Sequence, residues 1–484
     1  MILETVIGIE VHAELNTKSK IFCACSTAFG GDANSKVCPI CSGQPGTLPK
    51  LNEAVVESAV KLGLVLNCTV NKNCMFDRKN YFYPDLPKAY QVSQLYFPIC
   101  TDGSLEIDIA GKKKNIGIRE IHIEEDAGKL IHSSCGDTYV DYNRAGVPLL
   151  EIVTNPDFTS AAEVTAFIEK LKETMLYLDI SDCKMQEGSL RADINLSIRQ
   201  PNGKLGIRTE TKNLNSLKAI SHAIEYERER QAEIIRQGGK IVQQTRRWNE
   251  DKNISYPMRS KENAQDYRYF HEPDLQALEI SDGWLENIRR TIPELAHERR
   301  LRYIRDFGIS SNTAEIICSS KNLADIFEDT AKKSAEPTEA ANLVAGELMR
   351  LINNSNTEAD SLKIDSDKLS YLISLLKNGK INRGIYKDIV GEVFANNVDV
   401  QKYIAEKKLL TVNDDRATAA AVDEVIAENN DAADGFIAGR EKAFAFLMGQ
   451  TMRKLQGKAD PAAVQKVLLE KLKERSLCQE NKTP

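Results

Sequence analysis

Polar and apolar positions alternate with a period of two from Val6 to Leu15. Ile7, Ile9, Val11 and Ala13 fall on one side, and Gly8, Glu10, His12 and Glu14 on the other. The run Glu120–Asp126 repeats the pattern, with Ile121 and Ile123 opposed to Glu120, His122 and Glu124. From Ser189 to Arg199 it returns, with Arg191, Asp193, Asn195 and Ser197 set against Leu190, Ala192, Ile194, Leu196 and Ile198. Arg208, Glu210 and Lys212 share one parity, and Val147–Val153 is apolar except for Glu151. These segments predict strands of a curved, mainly antiparallel sheet with one apolar face and one face of acids, bases and amides. The period changes elsewhere. Leu217 to Gly238 reads as a helix closed by Gly238-Gly239, its charge run a solvated face, and from Trp284 onward successive amphipathic helices replace strands. The expected fold is therefore α+β. An N-terminal β cradle with flanking helices spans 1–285, a helical domain 286–405 and a small helical tail domain 406–484.

The polar face asks for an explanation. Carboxylates gathered on one face repel unless a cation lies between them, and Mg²⁺ takes oxygen ligands of this kind. A single such strand would equally suit a wet sheet edge, and a lone His12 a satisfied structural histidine. Recurrence in five segments shifts the balance toward a metal site. Glu151 adds to this, since a carboxylate buried without a partner costs several kcal/mol. Arg and Lys among the acids supply contacts for phosphate oxygens, which is what phosphoryl transfer needs. A Walker-type NTPase is excluded, because the chain has no Gly-x-x-x-x-Gly-Lys-[Ser/Thr] loop.

Two other stretches carry chemistry. Cys23-Ala-Cys25 and Cys38-Pro-Ile-Cys41 are two thiol pairs twelve residues apart, a spacing that suits structural zinc although the Cys-x-Cys half is tight. The alternative is a set of unbridged thiols, which is how Cys68 and Cys74 read. Phe76–Gln94 packs Arg78, Lys79 and Lys88 with Tyr81, Tyr83, Tyr90 and two phenylalanines around prolines. Cations beside stackable rings fit phosphate and a base, while the competing reading is a rigid loop capping the core.

Composition narrows the class. With 484 residues the chain needs two to four domains, and 42% hydrophobic with 28% charged residues is globular. No apolar run approaches a membrane span, the N-terminus lacks a basic signal region, and eleven cysteines is an odd number. A reduced, cytoplasmic protein is expected. A net charge of −6 argues against a uniformly basic coat, yet Arg453, Lys454 and Lys458 fall in a basic run after the acidic stretch 413–435.

The segments Ile7–Leu15, Phe76–Gln91, His122–Lys129, Asn143–Val153, Glu187–Ser197, Lys212–Ser216 and Asp266–Phe270 together resemble the B subunits of bacterial aspartyl/glutamyl-tRNA amidotransferases, and the resemblance runs end to end. It implies ATP- and Mg²⁺-dependent phosphorylation of the side-chain carboxylate of a misacylated tRNA, followed by amidation. The ammonia would come from the amidase (A) component of a heterotrimer that also holds a small (C) component. Carried onto this chain, the resemblance places Glu10, His12, Glu124, Glu125, Glu151, Asp193, Glu210 and Lys212 at the catalytic site, with His12, Glu125 and Glu151 as magnesium ligands. Within the Glu120–Asp126 run, Glu124 and Glu125 are the expected ligands and Glu120 and His122 their supports. Arg78, Lys79, Tyr81, Tyr83, Arg191 and Asn195 would bind the nucleotide. Cys23, Cys25, Cys38 and Cys41 match the zinc-bearing branch. Phe446–Lys454 and Gly457–Val464 match the tRNA-contacting tail, which gives Arg453, Lys454 and Lys458 their role. The chain departs from the family pattern at Gln186, commonly Glu, and at His271, commonly Pro. A tRNA-binding scaffold without catalysis and a metal-dependent nuclease are the competing readings.

Overall fold

The computed structural model describes residues 3–201, 203–260, 266–355, 357–410, 415–455, 459 and 461–480. Two compact units divide the chain, Met1–Leu295 and Ala296–Pro484. Among the described residues of the first unit the strands are β1 (Glu4–Glu14), β2 (Thr69–Val70), β3 (Asn73–Cys74), β4 (Asp77–Asn80), β5 (Tyr90–Ser93), β6 (Cys100–Ile109), β7 (Lys112–Glu125) and β8 (Lys129–His132). They continue as β9 (Thr138–Asp141), β10 (Pro148–Thr154), β11 (Leu190–Arg199), β12 (Thr209–Lys212), β13 (Gln244–Asn249), β14 (Ile254–Ser260), β15 (Phe270–His271) and β16 (Leu278–Glu279).

Nine of these form one sheet in the order β14-β13-β12-β11-β1-β10-β7-β6-β2. Every pairing in it is antiparallel except β12 with β13. The alternation explains why β1 sits centrally. Ile7, Ile9, Val11 and Ala13 are buried to 1% exposure or less, so this strand needs cover on its apolar side. Three helices supply it: α1 (Glu53–Val65), α2 (Ala161–Tyr177) and α3 (Leu217–Arg236). Their Val60, Phe167, Leu171 and Ile220 join the same core. Side-chain caps at Asn52, Ser160 and Ser216 start the helices. Gly238 ends α3 at φ +77°, where the Gly239 N–H donates to Ile234 O at 2.8 Å and the Gly238 N–H to Ile235 O at 3.0 Å. That pair of bonds needs a left-handed residue at Gly238.

Two expectations change here. The charge run of α3 is not wholly solvated. Glu227 is 1% exposed and accepts from Thr209 at 2.6 Å, from Gln231 at 2.9 Å and from Nε and Nη2 of Arg230. The helix Asp282–Arg290, which spans the expected 285/286 boundary, buries Ile288 in the sheet domain's core, so the first unit extends to Leu295.

The second unit is helical among its described residues and holds two separate apolar clusters. One runs from Tyr303 to Ile404 around Phe327 and Leu372, and the other from Val422 to Leu472. No helix of the described residues is long and apolar enough to cross a membrane.

Candidate active site

Sheet register turns the alternating pattern into a site. His12 of β1 pairs with Glu151 of β10 on one side and Arg191 of β11 on the other, and Glu151 pairs in turn with His122 of β7. One row of polar side chains therefore crosses four adjacent strands. A second row places Glu10 opposite Asp193, and a third places Asn195 opposite Glu210. Above these rows lies a cavity of about 420 Å³ lined by His12, Lys79, Tyr81, Gln91, Glu124, Asp126, Arg191, Asp193, Lys212 and Arg247, among others.

Ligand atoms of His12, Glu124 and Glu151 all lie within 4.8 Å of one another. His12 Nε2 is 3.7 Å from Glu151 Oε1. Burial holds His12 below its usual value, so the imidazole is neutral and keeps a lone pair. Glu124 accepts from Ser93 Oγ at 2.5 Å and Gln91 Nε2 at 3.2 Å, and although burial opposes its charge, the nearby Lys79 ammonium helps to hold it low. Burial and the Glu124 charge push the Glu151 carboxyl up to about 8. Burial also works against the Lys79 ammonium, which Glu124, Tyr269 and Glu151 nevertheless hold above its ordinary value. Two carboxylates and a neutral imidazole within one ion's reach fit a divalent cation.

Glu10, Asp193 and Glu210 form a second trio within 4.8 Å. Lys212 Nζ already bridges this one, 2.5 Å from Asp193 and 2.9 Å from Glu210. Asn195 donates to Glu10 at 3.0 Å. An ion entering here would have to displace the ammonium, so the His12 trio is the better-prepared cradle.

The structure brings together Glu10, His12, Glu124, Glu151, Lys79, Tyr81, Arg191, Asp193, Asn195, Glu210 and Lys212 around this floor. Glu125, expected as a magnesium ligand, is placed elsewhere. It follows Glu124 in an extended strand and so points the other way, into a separate cavity of about 220 Å³ beside Cys41. There it holds Lys88 at 2.5 Å and accepts from the Val92 N–H at 2.9 Å. Arg78 is displaced from the expected site for the same reason of parity. Its guanidinium pairs with Glu272 at 2.7 Å and stacks 4.3 Å from the Tyr90 ring centroid. Tyr83 stands 53% exposed and does not line the cavity. His122 pairs with Glu120 at 3.5 Å and contacts the Gln94 carbonyl, outside the cavity.

Sequence reasoning missed four contributors. Gln91 and Ser93 share a parity on β5 and position Glu124. Asp126 reaches Arg191 at 2.5 Å, and Arg247 stands opposite Lys212 in the β12–β13 pairing. The alternation of β5 carried a readable signal, whereas the Asp126–Arg191 pair joins segments 65 residues apart and had none.

The four cysteine sulfurs also gather within 4.8 Å. Cys38 and Cys41 Sγ are 3.9 Å apart, close to the roughly 3.8 Å edge of a tetrahedron with zinc–sulfur bonds of about 2.3 Å. The Cys38 N–H donates to Cys41 Sγ at 3.2 Å. Hydrogen bonding with the Cys23 thiol, opposed by burial and aided by the Cys38 backbone and Lys20, holds Cys41 down to about 4. The set fits zinc.

In the last cluster, Lys454 lies 2.7 Å from Glu424 and 2.6 Å from Glu428, and Lys471 and Arg475 pair with Asp423 and Asp434. The basic run thus partly neutralises the acidic stretch before it. Arg453 is exposed and has no ion-pair partner among the described residues, and Lys458 lies outside them.

Comparison with known families decides the class. Residues 5–286 match the model described as the GatB/GatE catalytic domain, and residues 325–472 match the GatB domain. The chain belongs to this family of amidotransferase B subunits. The B subunit of the aspartyl/glutamyl-tRNA(Asn/Gln) amidotransferase of Lachnoclostridium phytofermentans is 54% identical over 473 residues, covering 97% of this chain and 99% of the relative. The proteins of the same name from Agathobacter rectalis and Thermoanaerobacter pseudethanolicus are 50% and 48% identical, each again across 97% of this chain and 99% of the relative. Family membership makes the first unit the catalytic domain of a ligase component that forms carbon–nitrogen bonds with glutamine as the amide donor.

Proposed function

We propose that this chain activates and amidates the side-chain carboxylate of Glu or Asp on a misacylated tRNA, with ATP as co-substrate. A carboxylate is a poor acyl donor to ammonia until one oxygen becomes a good leaving group. In the proposed reaction a side-chain carboxylate oxygen attacks the γ-phosphorus, the bond to the bridging oxygen breaks, and ADP departs. Ammonia then adds to the carbonyl carbon, phosphate leaves with the carbon–oxygen bond pair, and nitrogen sheds a proton. The observation that carries the reading is a cavity lined by His12 and Glu124, which form a close trio with Glu151, and by the cations Lys79, Arg191, Lys212 and Arg247.

The residues divide the work by charge. His12, Glu124 and Glu151 would hold Mg²⁺, which when bound shields phosphate oxygens. Lys79, Arg191 and Arg247 are set to hold the nucleotide phosphates, while Tyr81 offers a ring at the cavity wall. Glu10, Asp193, Asn195 and Glu210 keep Lys212 charged and oriented. Cys23, Cys25, Cys38 and Cys41 would hold a structural zinc ion, a closed set that leaves no position for substrate. Ammonia would be supplied by the amidase (A) component of a cytoplasmic heterotrimer completed by a small (C) component, and Arg453, Lys454 and Lys458 would meet tRNA phosphates.

The test uses the reconstituted complex with Glu-tRNA(Gln) and, separately, Asp-tRNA(Asn). ADP release should require charged tRNA and fall by about a hundredfold or more in Glu124→Gln. Release that ignores the tRNA, or that survives this substitution, overturns the assignment. Shortening of the tRNA would point to a nuclease instead.

A further inference from the structure

Lys20 is fully buried, and its ammonium has no carboxylate within ion-pair distance among the described residues. Its partners are Lys36 O at 2.9 Å, Tyr142 O at 3.3 Å and Cys41 Sγ at 3.5 Å. Two neutral carbonyls solvate an ammonium but cannot neutralise it. The sulfur is therefore the one contact that can carry a compensating charge, which it would do as the thiolate that a bound metal requires. The cysteine cluster has the opposite need. Four thiolates around a divalent ion carry two net negative charges, and Cys41 is itself buried.

The three partners lie in two segments far apart in the chain. Lys36 and Cys41 belong to the cysteine loop, and Tyr142 to the segment following β9. The loop and that segment are further joined by Lys36 N–H to Asn143 at 2.8 Å and Asn143 to Asp32 O at 2.7 Å. The next residue, Arg144, donates to Ala127 O at 2.9 Å and Gly128 O at 2.8 Å and lies 3.6 Å from Asp126. Asp126 in turn holds Arg191 in the wall of the large cavity.

We infer that Lys20 is the counter-cation of the metal-bearing cysteine cluster and the joint through which that cluster braces the Asp126–Arg191 wall. This rests on the reading of the cluster as a zinc site. Lys20 offsets part of the cluster's excess charge and quiets the Cys41 thiolate. The metal in turn keeps the negative charge in place that makes a buried ammonium tolerable. Metal binding and the position of the 140–146 segment are then one linked equilibrium.

The full-length chain tests this directly. Zinc content is measured first, then the rate of zinc loss to a chelator, and the rate at which iodoacetamide alkylates Cys41 is read by mass spectrometry. Wild type should hold one zinc, and Lys20→Met should lose it at least about tenfold faster and alkylate Cys41 faster. A second measurement needs no variant. Lys20 should resist reductive methylation in the zinc-loaded wild type and become labelled when a chelator strips the metal. Hydrogen exchange at 140–146 should rise in the same step. Wild type without zinc would overturn both the cluster reading and this one. Wild type with zinc, but with release, alkylation and Lys20 labelling all indifferent to the variant and to the chelator, would overturn the Lys20 role alone.

Discussion

Glu124 and Glu125 adjoin in the chain and serve opposite sides of one strand. The Ser93 hydroxyl donates to Glu124 at 2.5 Å inside the larger cavity, while Lys88 meets Glu125 at 2.5 Å in the smaller one. Their neutral variants should separate cleanly. Glu124→Gln leaves the fold intact, since amide contacts can replace the carboxylate's, and lowers the Mg²⁺-dependent step. Glu125→Gln leaves the half-buried Lys88 ammonium without its anion and costs on the order of 2 kcal/mol. Urea unfolding beside ADP release in both variants measures this. Equal stability losses would contradict the placement.

The same parity sets what was readable in the sequence. The alternation of β1, β7 and β11 identified the polar face because a pleated strand makes side-chain direction a property of sequence alone. Treating Glu124 and Glu125 as joint ligands, or Arg78 and Lys79 as joint nucleotide contacts, set aside that rule in favour of adjacency. Which strands lie side by side is a different matter. The His12–Glu151 and Glu10–Asp193 pairings join residues more than a hundred positions apart, and register is fixed only when the whole sheet assembles. The gathering of Cys23, Cys25, Cys38 and Cys41 was legible because the four thiols are close in the chain. The end of the first unit was not, since the helix at Asp282–Arg290 is amphipathic like those after it and only Ile288's burial assigns it to the sheet domain.

Stability should fall as pH rises through the neutral range in metal-free protein. Burial, with neighbouring carboxylates, raises Glu151 and Glu14 from 4.5 to about 8. The folded chain therefore binds more protons than the unfolded chain between those values, and folding is favoured at the acid end of the window. Stability from these groups is fully present below pH 4.5 and is lost as pH climbs through about 8. Urea midpoints between pH 5 and pH 8.5 should decline, and Glu151→Gln should remove about half of the slope. Mg²⁺ should bind more tightly as Glu151 deprotonates, by up to about tenfold per pH unit. A flat titration in the metal-free chain would contradict this.

The Glu227 network is a structural element with no place in the chemistry. Its carboxylate is 1% exposed and satisfies Thr209, Arg230 and Gln231, with Arg246 at 3.5 Å. It locks α3 onto β12, the strand that carries Glu210 and Lys212. Glu227→Ala should cost about 3–5 kcal/mol, because the remaining cations lose their buried anion. Activity of the surviving folded fraction should keep its KM for ATP within about threefold if β12 holds its register, a factor worth less than 1 kcal/mol. A large KM change with little loss of stability would instead place this network in nucleotide binding.

In the last cluster Arg453 and Lys454 are neighbours with different electrostatic settings. Lys454 sits between Glu424 and Glu428, whereas Arg453 is exposed without an ion-pair partner among the described residues. A cation already balanced by two carboxylates releases few counterions when it meets a phosphate, and an unpaired one releases about one. Arg453→Ala should therefore weaken tRNA binding at low salt and flatten the plot of log Kd against log salt by about one unit. Lys454→Ala should change that slope by much less. Replacing Glu424 and Glu428 with Gln should steepen it, since the freed ammonium then joins the phosphate-facing charge. Filter binding of tRNA across a salt series reads all three. Equal slopes for the Arg453 and Lys454 variants would show that the acidic partners yield to RNA, leaving the tail's charges to act as one undivided basic surface.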